Sequence, residues 1–145
     1  MAKPIFILNG PNLNMLGKRE PSIYGNGTLA QIEIDCVAEA KKLGHAIDFR
    51  QSNHEGVLVD WIHEAGTSAS AIIINPGAYS HTSIALHDAI KSIGSFHVAE
   101  VHISNIHARE EFRHQSMVSL AATGVICGFG PYGYQLALKA VAAQL

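Results

Sequence analysis

Cysteine is scarce in this chain of 145 residues: only Cys36 and Cys127 occur, and both lie in apolar segments. Such cysteines are typical of buried, reduced thiols rather than of a disulfide framework or a redox pair. No apolar run reaches the ~18 residues that a membrane-spanning helix needs. The N-terminal segment also lacks a signal-peptide pattern, so we expect a cytoplasmic protein with no membrane partner.

Charge is also limited, since charged residues make up 15% of the chain and the net charge is −2. No basic stripe is present, and nucleic-acid binding depends on clustered lysine and arginine, so we expect no nucleic-acid partner. The chain has nine histidines, but no pair shows the His-x-x-x-His spacing of a helical zinc site. We therefore expect no metal and interpret most histidines as surface or capping residues, with one or two of them catalytic.

Short apolar runs alternate with segments of helical period along the whole chain. Helices are predicted to begin at Leu29, at 54, at about Ser83 and at Tyr132, and the five predicted strands are Ile5–Leu8, Ala46–Phe49, Ala71–Ile74, Val98–Ile103 and Gly124–Cys127. This order predicts an α/β fold, a doubly wound five-stranded parallel sheet with helices on both faces. A single domain over 1–145 suits the length.

Local signals place the ends of two helices. Thr28, with Gln31 three residues later, predicts a capped start for the first helix. Ser52, with Glu55 three residues later, predicts a cap for a helix over 54–65 that ends at Gly66. Residues 115–123 carry no clear pattern.

In such sheets ligands bind at the carboxyl ends of the strands, and this rule nominates four loops, those after Leu8, Ile74, Ile103 and Cys127. The first runs from Asn9 to Gly27 and is longer than an ordinary strand-to-helix turn, so we expect it to be functional. Gly17 and Gly25 bracket a candidate lid over 18–25. Because ligands bind at the carboxyl ends of the strands, we expect nine side chains to gather at the mouth of one binding site there: Asn12, Arg19, Tyr24, Asn75, His81, His102, Ser104, Arg109 and Arg113.

Glu100 and His102 are two apart at the end of a strand, so their side chains share a face. A carboxylate beside an imidazole orients the ring and favours its protonated form, which suits a general acid. Arg19 and Tyr24 form a second pair, because a nearby arginine lowers a tyrosine pKa by about 1–3 units and makes a usable base. The plainer interpretation of Glu100 and His102 is a polar strand end with solvated side chains. The plainer interpretation of Arg19 and Tyr24 is a tyrosine ring packed under the loop beside a solvated arginine.

The remaining polar motifs also have two interpretations. Arg109 and Arg113 suit a substrate carboxylate, or equally a surface turn with ion pairs. The segment 75–81, with Asp88 seven residues on, suits a polyhydroxylated ligand, or equally ordinary turn chemistry. The segment 128–133 matches Gly-x-Gly-x-x-Gly, but only 12 residues remain for the ribose-binding acid of a dinucleotide fold. We interpret it as a tight strand-to-helix turn.

Together these motifs resemble the type II dehydroquinase (3-dehydroquinate dehydratase) family over essentially the whole chain. The resemblance rests on four groups of residues: Leu8–Asn14 with Leu16–Pro21 and Tyr24–Gly25; Asn75–Tyr79 with His81; Glu100–Asn105 with His107–Glu110 and Phe112–Arg113; and Gly124–Ile126 with Gly128 and Gly130. It implies a flavodoxin-like fold in three α/β/α layers, no metal or organic cofactor, and a homododecamer built from trimers.

The resemblance also implies an activity, the reversible dehydration of 3-dehydroquinate to 3-dehydroshikimate by anti elimination through an enolate. The pathway would be aromatic biosynthesis or quinate catabolism. The implied roles are Tyr24 as base with Arg19, His102 as acid with Glu100, Asn12 orienting a water, and Arg109 supporting the lid. The implied substrate-binding residues are Asn75, His81, Asp88, Ile103, Ser104 and Arg113.

Two alternatives remain open from the residues alone. A non-catalytic flavodoxin-like module that binds a small molecule would need the fold and the turns, but not Arg19 and Tyr24 on a lid. An enzyme of the same fold that acts on another polyhydroxylated keto acid is excluded by nothing but the family resemblance. A receiver domain is disfavoured, because Asn9 and Asn12 stand where an acidic cluster is required.

Overall fold

The computed structural model describes residues 2–18 and 27–145. Five parallel strands form one sheet: β1 (Ile5–Asn9), β2 (Ile47–Gln51), β3 (Ala71–Asn75), β4 (Val98–His102) and β5 (Gly124–Cys127). Four α-helices follow strands: α1 (Leu29–Lys42), α2 (Glu55–Ser68), α3 (Ile84–Ser92) and α4 (Tyr132–Ala142). The strand order is β2-β1-β3-β4-β5. This is the doubly wound, flavodoxin-like order, so the predicted fold class is confirmed.

The sheet divides the core into two layers because its central strands are apolar on both faces. Every residue of β1 and β3 is buried. On one face Ile5 and Ile7 pack with residues of α1 and α4, including Cys36 and Leu138. On the other face the core is built from α2 and α3, including Leu58, Ile62, Leu86 and Ile90. The result is the predicted α/β/α sandwich.

Capping explains where two of the helices begin. The Thr28 hydroxyl accepts a hydrogen bond from the Gln31 backbone N–H at 3.2 Å, which confirms the predicted start of α1. The Ser83 hydroxyl accepts one from the Leu86 N–H at 2.9 Å and caps α3 in the same way.

The predicted ends of α2 were wrong. Its N-cap is His54, and the Ser52 hydroxyl accepts from the His54 N–H instead of capping the helix. The helix also continues through Gly66 to Ser68. A Cβ at Gly66 would lie 2.9 Å from Cγ2 of Ile93. Gly66 therefore allows close packing against the end of α3 and does not stop its own helix.

The glycine motif after β5 is a turn, as its position in the chain predicted. Gly128 and Gly130 have positive φ angles of 94° and 65°, a region that glycine enters without steric cost. A Cβ at Gly133 would lie 3.3 Å from Val101, so the third glycine brings α4 close to β4.

Within residues 2–18 and 27–145, no helix is both long and apolar enough to cross a bilayer.

Candidate active site

A pocket of about 130 Å³ opens at the carboxyl ends of β1, β3 and β4. Strand order reverses between β1 and β3, and in doubly wound sheets such a crevice is where ligands bind. The lining residues come from the last residues of β3 and β4 and from the loops after all three strands: Pro11, Asn12, Leu13, Leu16, Asn75, Gly77, Ala78, His81, His102, Ile103, Ser104, Ile106, Arg109 and Arg113.

Two glycines let the first two loops touch. A Cβ at Gly10 would lie 2.4 Å from the Pro76 carbonyl oxygen, a distance that no side chain can occupy. Gly77 has a φ of 59°, and its Cβ would lie 3.0 Å from the Pro11 carbonyl oxygen. This contact fixes the loop carrying Asn12 relative to the loop carrying His81.

Glu100 and His102 form a buried pair at the end of β4. Glu100 is fully buried, and His102 Nε2 lies 2.5 Å from Glu100 Oε2. Burial alone would raise the pKa of Glu100, but hydrogen bonds and the charge of His102 outweigh it, so that pKa lies below its usual value. The carboxylate is ionised and can only accept. Nε2 therefore carries a proton, and Nδ1 is the ring nitrogen left for a ligand.

His81 also lines the pocket, and its ring proton is on the other nitrogen from that of His102. Its Nδ1 lies 2.8 Å from the Gln115 carbonyl oxygen, so Nδ1 donates and Nε2 holds the lone pair. Burial lowers the pKa of His81, and the nearby positive groups His102, Arg113 and Arg109 lower it further. A neutral His81 suits a ligand hydroxyl that needs an acceptor.

Asn75 is held by a buried hydrogen-bond chain. Its Oδ1 accepts from the Gly77 N–H at 3.1 Å, and its Nδ2 donates to the Tyr134 hydroxyl at 2.9 Å. Tyr134 in turn donates to Asn9 Oδ1 at 2.6 Å. The amide orientation of Asn75 is therefore determined, and one N–H of Nδ2 remains for the pocket.

Asn12 sits on a strained turn at the pocket edge. It is the non-glycine residue with positive φ among those described, at 69°, a conformation that asparagine tolerates better than most residues. Its backbone N–H donates to Asn53 Oδ1 at 3.0 Å, and the Tyr79 hydroxyl donates to the Asn53 carbonyl at 2.8 Å. Asn53 thus ties the loop after β2 to both pocket loops.

The loop after β4 adds donors of two kinds. The backbone N–H groups of Ile103 and Ser104 donate to no other backbone group in the described part of the chain. Arg113 Nε donates to Glu110 Oε1 at 3.2 Å. Arg109 lies 3.4 Å from the Ser104 hydroxyl and 3.7 Å from the Glu110 carboxylate. Both arginines line the pocket, so the surface-turn alternative describes only part of their contacts.

The structure brings together most of the predicted site residues that it describes and leaves one of them, Asp88, elsewhere. Asp88 is exposed on α3 and is not among the pocket-lining residues. Arg19 and Tyr24 lie outside the described residues, as does the predicted lid except Lys18. The pocket is lined by Asn12, Asn75, His81, His102, Ile103, Ser104, Arg109 and Arg113.

Sequence reasoning missed several residues that hold the site. Ser116 and Ser119 donate to the Glu100 carboxylate at 2.6 and 2.5 Å from a segment with no recognisable pattern. Tyr134 was predicted only as a residue of the last helix, with no role at the site. Asn9 had a usable signal, since asparagine follows the apolar core of both β1 and β3, and Asn9 pairs with Asn75 across the sheet.

No group of three or more His, Cys, Asp or Glu side chains within the described ranges is arranged to hold a metal ion. The chemistry that these residues can perform is proton transfer at His102 Nδ1, anion binding at Arg113 and the backbone donors, and hydrogen bonding at Asn75 and His81.

The chain is similar to known proteins both in sequence and in fold. The family model described as dehydroquinase class II matches residues 3–142. The chain is 70% identical to 3-dehydroquinate dehydratase 1 of Agrobacterium fabrum and 69% identical to 3-dehydroquinate dehydratase of Mesorhizobium japonicum, covering 97% and 99% of both chains respectively. The crystal structure of type II dehydroquinase from Propionibacterium acnes superposes with a TM-score of 0.93 at 45% identity, over 99% of this chain and 98% of that one. With its fold and its sequence both matching, the chain belongs to the class II dehydroquinase family.

Proposed function

We propose that this chain is a 3-dehydroquinate dehydratase, a hydro-lyase that reversibly removes water from 3-dehydroquinate to form 3-dehydroshikimate. The observation that carries the proposal is the buried Glu100–His102 pair, 2.5 Å apart, at a pocket lined by two arginines and two asparagine amides. Loss of a hydroxide needs an acid, and a polyhydroxylated carboxylate needs such donors. Family membership and the names of the relatives support the same reaction.

His102 is proposed as the general acid. Its Nε2–H is committed to the ionised Glu100, which favours a second proton on Nδ1. Nδ1 then delivers that proton to the departing hydroxyl, and Glu100 stabilises the imidazolium until it does so. Acid–base catalysis of this kind contributes about 10²–10⁴-fold to a rate.

Tyr24 is proposed as the base, acting as a tyrosinate beside Arg19. The ketone of the substrate acidifies the neighbouring C–H, and Tyr24 would take that proton to leave an enolate. A two-unit shift of a tyrosine pKa corresponds to ~2.7 kcal/mol of differential interaction, within reach of one adjacent guanidinium. Asn12 would orient a water against the enolate oxygen. The elimination is anti, with base and acid on opposite faces of the ring.

Substrate binding is assigned to the other pocket groups. Arg113 and the backbone donors of Ile103 and Ser104 would hold the carboxylate, because charged and oriented N–H groups bind anions strongly. Asn75 would donate to one ring hydroxyl, and neutral His81 would accept from another. Arg109 would support the lid over 18–25.

Asp88 needs a different arrangement, because it lies outside the pocket of its own chain. It can bind substrate only in the pocket of another copy, which fits the proposed homododecamer. Light scattering of the purified protein tests this assembly: twelve times the 15.5 kDa chain mass is expected. A stable monomer would remove Asp88 from the site.

The activity is tested by ultraviolet absorbance after adding 3-dehydroquinate to purified protein stripped of metal. The product contains a conjugated enone carboxylate that the substrate lacks, so absorbance should rise. Folded protein that gives no rise would favour the non-catalytic binding module, and calorimetry with the same compound would then measure binding alone.

Two variants test the assignment of acid and base. Tyr24→Phe should lose nearly all of its kcat, and a variant that kept most of it would remove Tyr24 as base. His102→Ala should lose at least ~10²-fold in kcat. A milder loss would mean that another group protonates the leaving hydroxyl.

In vivo, the reaction would serve aromatic biosynthesis or quinate breakdown, in the cytoplasm.

A further inference from the structure

The Glu100 carboxylate receives three hydrogen bonds, and only one comes from His102. The Ser116 hydroxyl donates to Oε2 at 2.6 Å, beside His102, and the Ser119 hydroxyl donates to Oε1 at 2.5 Å. Ser116 Oγ also accepts from the Ser119 N–H at 3.2 Å, so its own hydrogen is directed to the carboxylate. Both oxygens of a fully buried carboxylate are thereby satisfied without a second positive charge.

These serines lie on a segment that other contacts hold in place, residues 115–119, which we call the serine strap. His81 Nδ1 donates to the Gln115 carbonyl at 2.8 Å, and His87 Nδ1 lies 2.9 Å from the Met117 carbonyl. The Met117 N–H donates to the Ser80 carbonyl at 2.6 Å. Val118 is fully buried in the core on the sheet face that α2 and α3 cover. The strap therefore stays in position without the two hydroxyls.

The serine donors have a chemical effect that burial alone does not. A hydroxyl that donates to a carboxylate withdraws negative charge from it and favours its ionised form. Without them, the carboxylate would attract the shared proton of His102 more strongly. A His102 whose proton is drawn toward Glu100 is a weaker acid at Nδ1.

We propose that Ser116 and Ser119 are positioning residues for the acid step, which keep Glu100 ionised and oriented so that His102 remains acidic enough to protonate the leaving hydroxyl. This inference rests on the proposed function. Removing the Ser119 hydroxyl should reduce kcat more than removing that of Ser116. Oε1 accepts its hydrogen bond from Ser119, whereas Oε2 still accepts one from His102 when Ser116 is removed. Neither serine lines the pocket, so substrate binding should be little affected.

The test compares Ser119→Ala, Ser116→Ala and the double variant by steady-state assay of 3-dehydroquinate across pH. Each lost hydrogen bond to a buried charge should reduce kcat by about 10- to 100-fold, with KM nearly unchanged. The alkaline limb of kcat should move to higher pH, because a more basic Glu100 holds the proton of the pair more tightly. A purely structural role would lower kcat without moving that limb.

The charged or titratable groups that line the pocket with His102 are His81, Arg109 and Arg113, and Cys127 pairs with His102 on the neighbouring strand; the variants leave all four in place. Ser119→Thr retains a hydroxyl and should restore most of the kcat and the wild-type limb. Ser92→Ala is the matched control, since it removes a hydroxyl whose 2.6 Å bond to Ala89 lies on α3 outside the pocket. It should leave the profile unchanged.

A second readout does not depend on activity. The two donors help to lower the pKa of Glu100, so acid unfolding of Ser119→Ala should begin at higher pH than in wild type. The positioning role would be overturned if the wild type is active and both alanine variants keep its kcat profile and its acid unfolding. A folded wild type that does not convert 3-dehydroquinate would instead overturn the proposed function, and the acid step with it.

Discussion

Asn75 Nδ2 lies 2.9 Å from the Tyr134 hydroxyl, and this bond joins the pocket to the core beneath it. Tyr134 is fully buried among residues of α1, α4 and the sheet, yet its hydroxyl reaches the ends of β1 and β3. Burial raises the pKa of Tyr134, so the phenol stays protonated and donates to Asn9. A residue of the apolar core thereby determines which way a pocket amide points.

Tyr134→Phe should therefore weaken both stability and substrate binding. It leaves Asn75 Nδ2 and Asn9 Oδ1 without their buried partner, and each unsatisfied group costs about 1–3 kcal/mol. Urea unfolding should show the stability loss, and KM should rise because Asn75 is no longer fixed. Tyr132→Phe is the control on the same helix, since Tyr132 is exposed. Equal effects of the two variants would contradict the role of Tyr134.

Gly10→Ala should separate the two loops that build the pocket. Its Cβ would lie 2.4 Å from the Pro76 carbonyl oxygen, so the backbone of one loop must move. A movement of this size at a catalytic site costs on the order of 10²-fold in rate. The absorbance assay measures this loss.

Gly56→Ala is the matched control for that variant, because its Cβ would meet nothing within 4 Å and it lies in helix α2. It should keep full activity and gain up to about 1 kcal/mol from helix propensity. Normal activity in Gly10→Ala would show that the loops can move apart without harm.

Glu100→Gln should change how stability depends on pH. The pKa of Glu100 is lowered in the fold from the ordinary value of 4.5, so the carboxylate stabilises the protein above about pH 4.5. That contribution is lost as the pH falls through the lowered pKa. The stability difference between wild type and Glu100→Gln should therefore shrink on acidification, as urea unfolding at a series of pH values would show.

The control for this pH dependence is Glu33→Gln, at an exposed position of α1. It should follow the wild-type stability curve at every pH. A constant difference between wild type and Glu100→Gln, from neutral pH to well below 4.5, would argue against an ionised Glu100.

Arg113→Lys should raise KM for 3-dehydroquinate by about tenfold with a smaller change in kcat. A guanidinium binds a carboxylate through two parallel N–H groups, and an ammonium cannot reproduce that geometry. Steady-state kinetics measure the two constants separately. Lys91→Arg, the reverse exchange at an exposed position of α3, should change neither. An unchanged KM in Arg113→Lys would place the carboxylate elsewhere in the pocket.

The elements that could be predicted from the sequence are those with local causes. Ile5–Leu8 and Ala71–Ile74 are short continuous apolar runs, and such runs become strands that are buried on both faces. Thr28 and Ser83 cap helices through bonds to backbone groups three residues away. The alternation of strands and helices then left few topologies, because crossovers between parallel strands are right-handed.

Glu100 and His102 were paired for the same local reason, since alternate residues of a strand share a face. The rule that the carboxyl ends of parallel strands meet at one edge of the sheet gathered nine side chains, and the seven of them that the structure describes line the pocket. The prediction that α2 ends at Gly66 was wrong, because Gly66 packs against Ile93, which is 27 positions away and cannot be inferred from the local sequence.

The sequence by itself therefore determined the strands, most helix ends and the α/β class through interactions within a few positions. The topology that these elements allow then indicated which of the described residues line the pocket. Only the tertiary structure decided what holds those residues in place. Ser119 reaches Glu100 across 19 positions, Asn53 reaches Asn12 across 41, and Tyr134 reaches Asn9 across 125. Such contacts depend on how the layers pack, and packing is a property of the whole core rather than of any local pattern.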